Sequence, residues 1–94
     1  MIRHTVCFKL KKGESAEKAA EILRSMEGKV PEIKEIFVGV DFLKSERSYD
    51  VILQVTVEDE NALSRYQNDL YHCSVVKEYM HNARESSVAV DCYL

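Results

Sequence analysis

The sequence predicts an α+β domain, four antiparallel strands with the helices on one face of the sheet. Three observations carry this. Apolar residues alternate with period two in four separate stretches. Between the first and second stretches, and again between the third and fourth, they recur at helical spacing. Three Gly and one Pro leave few breaks, so most of the 94 residues belong to regular elements.

The first strand spans 2–10. Ile2, His4, Val6, Phe8 and Leu10 share one face, with Arg3, Thr5, Cys7 and Lys9 on the other. Lys11 to Ser15 is a turn and a helix start. Ser15 can accept from a free backbone N–H of the first turn, with Lys18 where a capping box would place Glu. Ala16, Ala19, Ala20, Leu23 and Met26 then form a helical stripe that Ile22 widens. Gly28 stands where a C-cap glycine belongs, and Pro31 bars continuation. Ile33 to Val40 reads as the second strand, with Ile36, Val38 and Val40 on one face and Phe37 on the other. Asp41 to Ser48 is a charged loop. In the third strand, Tyr49 to Val57, Tyr49, Val51, Leu53, Val55 and Val57 oppose Asp50, Ile52, Gln54 and Thr56. Asp59 can cap a second helix over 60–70, whose inner stripe is Leu63, Tyr66 and Leu70. After a break at 71–74, Ser74 can cap a short third helix with Val75, Val76, Tyr79 and Met80 inside. Ser86 to Tyr93 is the last strand, with Val88, Val90 and Cys92 opposite Ala89, Asp91 and Tyr93. The order β-α-β-β-α-(α)-β is the split βαβ, or ferredoxin-like, arrangement.

Such a layout covers one sheet face only. On this reading the other face carries Thr5, Cys7, Ile36, Val38, Val40 and Ile52, an apolar patch that monomers seldom leave in water. The pattern therefore predicts a homodimer, two sheets packed face to face about a two-fold axis.

Length and charge bound the function. The chain reads as one domain over 1–94, and a chain this short buries only about 60–65% of its unfolded surface. The net charge is −3 and the only basic run is Lys9, Lys11 and Lys12, so no nucleic-acid partner is expected. No apolar run approaches the ~18 residues of a membrane helix. The N-terminus begins strand pattern at once instead of a signal peptide. The expectation is a cytoplasmic protein that engages no membrane. Cys7, Cys73 and Cys92 are odd in number and include no C-x-x-C pair, which reads as free thiols. His4, His72, Cys73 and His81 match no zinc spacing, so no metal site is assigned to side chains. No Ser- or Cys-centred nucleophile motif, phosphate loop or dinucleotide fingerprint is present.

Chemistry-bearing residues remain at three places. His4 lies on an apolar strand face, where an imidazole needs a hydrogen-bond partner; that describes either a satisfied core histidine or a polar group at a pocket floor. His72 follows the second helix, with a side chain suited to proton transfer near neutral pH. Tyr66 faces inward on that helix. Its hydroxyl could polarise a carbonyl, although an inward Tyr is also an ordinary core choice.

Three stretches together resemble the stress-responsive A/B barrel (Dabb) family. His4-Thr5-Val6-Cys7-Phe8-Lys9 is similar to its His-x-Val-x-Phe-Lys opening. Val30-Pro31-Glu32-Ile33, leading to Phe37-Val38-Gly39, resembles its Pro-x-Ile/Val passage ending in Gly. Tyr66, Tyr71-His72 and Val75-Val76 resemble the segment written around Tyr-x-x-His-Pro-x-His, with Asp69-Leu70 standing in place of His-Pro. The resemblance implies a dimeric α+β barrel, mostly of unassigned activity. One enzyme of the family closes a linear polyketide by aldol condensation with a His base and a Tyr six residues before it, the spacing of Tyr66 and His72; its N-terminal-strand His looks like His4. Relatives can hold Mg²⁺ through backbone carbonyls, and no other cofactor is implied.

The expectation is therefore a homodimer binding a small, mainly apolar molecule between sheet and helices, at His4, Val6, Phe8, Leu23, Tyr66 and His72. One alternative is a small cyclase- or lyase-type enzyme acting on a carbonyl compound, with His72 as base, Tyr66 as donor and His4 orienting. The other is a structural stress-response dimer without a ligand.

Overall fold

The computed structural model describes residues 1–94. Its elements are β1 (Ile2–Leu10), α1 (Ala16–Arg24), β2 (Glu35–Val40), β3 (Val51–Val57), α2 (Glu60–Gln67), a π-helical turn (His72–Lys77) running into α3 (Glu78–Ala83), and β4 (Arg84–Tyr93). The antiparallel sheet has the order β2-β3-β1-β4, so β1 and β3 are central. This is the ferredoxin-like fold that the alternation predicts.

The helices start where the capping residues place them. Ser15 accepts from the backbone N–H of Lys18 and Asp59 from that of Ala62 at 2.8 Å. Each such cap is worth about 1 kcal/mol. Ala19 and Ala20 are fully buried, so α1 lies close on the sheet. Met26 and Val30 follow the helix and remain in the core. Gly28 has a φ of +79°, a conformation that glycine adopts without steric cost.

Pairing corrects the reading of β2. Val38 lies opposite Leu53 and Ile36 opposite Val55. Directly opposed residues point to the same side, and Leu53 and Val55 are buried under the helices. Ile36, Val38 and Val40 therefore belong to the inner face, not the outer patch. The residue that does project outward is Phe37, 57% exposed. Its ring leans over Gly39, where an added Cβ would come within 3.2 Å of it. The outer face combines Phe37 with Ile52, Cys7, Thr5 and, from β4, Val88 and Val90. An apolar outer face is present, but its members are partly different.

Two helix expectations also change. α2 ends at Gln67, so Leu70 leaves the inner stripe and is 80% exposed. Ser74 caps nothing: its hydroxyl donates back to the carbonyl of Leu70 at 2.6 Å, inside the π-helical turn.

Candidate ligand cavity

A cavity of about 470 Å³ opens between the inner sheet face and the helices. It falls within the ~300–1,000 Å³ typical of small-molecule sites. All six residues expected at the site, His4, Val6, Phe8, Leu23, Tyr66 and His72, line it. Leu53, Val76 and Met80 complete its apolar wall, and Gln67, Asn68, Lys77, His81 and Arg84 add polar groups.

Three rings meet there. Tyr66 is fully buried, and His72 stacks on it with ring centroids 4.4 Å apart and planes inclined by 27°. His4 approaches the same ring edge-on at 5.7 Å. β1 delivers His4 because inner-face residues alternate along the strand. α2 delivers Tyr66 through the stripe it shares with Ala62.

His72 is held by the segment after α2. The carboxylate of Asp69 accepts from the His72 backbone N–H at 3.1 Å, and the Asp69 carbonyl accepts from the N–H of Cys73 at 2.9 Å. Asp69 is the residue that departs from the family's His-Pro, and here it anchors the start of the π-helical turn. The wider turn of a π-helix re-aims side chains relative to an α-helix, and such turns are frequent at functional sites.

One nitrogen of each buried imidazole is engaged. His72 Nδ1 lies 2.9 Å from the Tyr66 carbonyl, which can only accept, so Nδ1 carries the proton. His4 Nδ1 pairs with Asp91 Oδ1 at 2.5 Å. Neither Nε2 has a protein partner, yet no buried side-chain nitrogen or oxygen is left unpaired. Each Nε2 therefore keeps contact with solvent in the cavity that both rings line. Burial lowers the His72 pKa, and the charges of Lys77 and His4 push the same way; the Tyr66 carbonyl and Asp69 oppose them. A neutral His72 with a bare Nε2 is a competent proton acceptor. Burial pushes the Tyr66 phenol up, so it stays protonated at neutral pH. Its hydroxyl donates to the sulfur of Met26 at 3.8 Å.

Asp91 escaped the sequence reading. Its alternation with Val90 and Cys92 marks it as facing away from them, but only the β1–β4 pairing puts it opposite His4. Lys77, His81 and Arg84 also escaped it, since they come from the π-helical turn, α3 and the first residue of β4.

No group of three or more His, Cys, Asp or Glu is placed to hold a metal ion. No observation supports the magnesium ion that backbone carbonyls were expected to be able to hold. No helix is long and apolar enough to cross a membrane.

Among solved structures, the chain is similar to a dimeric ferredoxin-like protein of unknown function from Thermobifida fusca, at 22% identity and TM-score 0.86, over 99% of this chain and 90% of that one. A Dabb family protein from Mesorhizobium loti matches at 20% identity and TM-score 0.74, over 99% and 95%. A hydroxynitrile lyase from Passiflora edulis matches at 17% identity and TM-score 0.83, over 99% and 92%. At these identities the likeness establishes the fold. No curated protein matches. The model of the stress responsive A/B barrel domain matches residues 2–94, and the chain belongs to that family.

Proposed function

We propose that this Dabb protein is a homodimer, closed through the outer sheet face, that binds a small, mainly apolar molecule in the cavity between sheet and helices. One observation carries the ligand reading: six side chains from β1, α1, α2 and the π-helical turn converge on one cavity of about 470 Å³. The dimer reading rests on the apolar outer face and on neighbours that are themselves dimeric.

The test is a ligand screen followed by the imidazole NMR signals of His4 and His72. A binder is expected to shift both rings saturably in the wild type. Leu23→Trp, which fills the cavity from α1, should abolish those shifts. A screen that moves neither ring, or shifts that survive Leu23→Trp, would leave a ligand-free structural dimer as the better account.

A second reading is favoured by the two bare Nε2 atoms. In it the protein acts on a small carbonyl compound, with His72 as general base and His4, held by Asp91, orienting the substrate. Tyr66 donates to the carbonyl oxygen once its hydroxyl leaves the Met26 sulfur, a weak acceptor. The Passiflora edulis neighbour, a hydroxynitrile lyase, supports carbonyl-type chemistry on this fold. Turnover that falls as pH drops through the His range, and is lost in His72→Gln with binding retained, is the expected signature. Binding without turnover across a carbonyl-compound panel would reject it.

A further inference from the structure

The five ionisable side chains at the cavity, apart from the Tyr66 phenol, are all basic: His4, His72, Lys77, His81 and Arg84. No Asp or Glu lines it, in a chain whose net charge is −3 and which has 16 acidic residues. The two carboxylates that touch the histidines are already engaged, Asp91 by the His4 ring and Asp69 by the His72 backbone.

The basic groups are also graded by depth. His4 and His72 are buried, whereas Lys77 and His81 are exposed and Arg84 is half-buried. Lys77 follows from the π-helical turn, His81 from α3 and Arg84 from the first residue of β4. The Lys77 ammonium donates to the Gln67 carbonyl at 3.0 Å, and an Arg84 guanidinium nitrogen lies 3.5 Å from His81 Nδ1. The three ion pairs of the chain include neither Lys77 nor Arg84. A planar guanidinium and an ammonium on the more exposed side of the cavity, with no acid among its lining, complement an anionic head.

Resting on the cavity reading above, we propose that the occupant is an amphipathic carboxylate. Its apolar body lies against Phe8, Leu23 and Met80, and its head group is held on that more exposed side by Arg84 and Lys77. The Arg84 fork fits the two oxygens of a carboxylate, and charge-assisted hydrogen bonds of this kind are among the stronger ones.

The test compares hydrocinnamate with hydrocinnamyl alcohol, which share the apolar body and differ in the charge of the head. Binding is followed by NMR titration of the intact chain. The carboxylate is expected to bind about tenfold or more tightly than the alcohol at low salt. In Lys77→Gln the preference should shrink, and in the Arg84→Gln, Lys77→Gln double variant it should vanish while the alcohol binds as before. Lys77 is exposed, so the single variant stands even if loss of Arg84 disturbs the start of β4. Equal binding of acid and alcohol to the wild type, or a preference that survives both substitutions, overturns the carboxylate and leaves the cavity reading intact. Failure of both compounds to bind at millimolar concentration overturns the cavity reading as well.

Discussion

If the outer sheet face closes a dimer, Val90→Lys should break it. Val90 is 65% exposed on β4, beside Val88 at 50% and on the same face as Phe37 at 57%. Full burial of such a side chain is worth about 1.5–3 kcal/mol, and roughly half to two-thirds of that is still unrealised in the single chain. Val90 therefore offers about 1 kcal/mol per copy. Both copies carry the change, which makes about 2 kcal/mol, and burying two ammonium groups at the seam adds to it. A loss of about 3 kcal/mol weakens dimerisation at least about a hundredfold. The single chain should tolerate the substitution, because Lys on an exposed edge strand is common. Sedimentation velocity over a dilution series reads the dissociation constant, and urea midpoints over the same series should rise with concentration in the wild type. Glu21→Lys, on the exposed side of α1, is the control and should change nothing. A wild type that stays monomeric at all concentrations, or a Val90→Lys variant that dimerises as tightly, refutes the reasoning.

Three further outcomes follow from the ring cluster. Tyr66→Ala should cost about 3–5 kcal/mol, as large buried aromatic truncations do, whereas Tyr66→Phe should cost under about 1 kcal/mol because its hydroxyl meets only a thioether; equal losses in urea unfolding would contradict the assignment. Burial lowers the folded pKa of His72 below its unfolded value near 6.5, so between those values the unfolded chain holds more protons. The contribution of His72 is then complete above about pH 7 and is lost as pH falls through the unfolded pKa. The His72→Gln variant should lose that part of the slope in urea midpoints taken from about pH 5 to pH 8, and an unchanged slope would count against it. Asp91→Ala removes the acceptor at His4 Nδ1. Long-range nitrogen–proton NMR should show the His4 proton held at Nδ1 in the wild type and shared between the two ring nitrogens in the variant; the same proton placement in both would dismiss Asp91 as the orienting group.

Element order and inner-face positions of β1 and β3 were legible because their alternation is strict and one face is markedly more apolar. β2 was not. Ile36, Val38 and Val40 on one side and Phe37 on the other make both faces apolar, so period two says which residues go together but not which way they point. That direction comes from pairing with Leu53 and Val55, a contact the sequence does not encode locally. The end of α2 was misplaced for a related reason. Leu70 fits the helical stripe, but Asp69 diverts the chain into the π-helical turn, and a five-residue hydrogen-bond period leaves no simple apolar signature. That the six expected residues line one cavity was legible because an inner face and a helical stripe already converge on the space under the sheet. Asp91, Lys77 and Arg84 were not, since each enters through β4 pairing or through the course of the chain after α2.

The cost of the two imidazoles is the strongest physical argument for reading the cavity as a site. Only 21 of 94 residues are buried, a small core in which each apolar side chain counts. Three of those 21 are polar, and two of the three, His4 and His72, line the cavity. A histidine kept for stability alone would do best with both nitrogens bonded, or with an apolar residue of similar volume in its place. Each ring instead has its Nδ1 fixed by a dedicated acceptor, the Tyr66 carbonyl or the Asp91 carboxylate, and its Nε2 left to the cavity. The fixed nitrogen sets the tautomer and the ring orientation. The free Nε2 of His72, whose pKa burial lowers, is then an acceptor in a defined place, on a wall otherwise made of Val6, Phe8, Leu23 and Met80. Orientation held at one atom and reactivity left at another is how a fold presents an imidazole to a ligand.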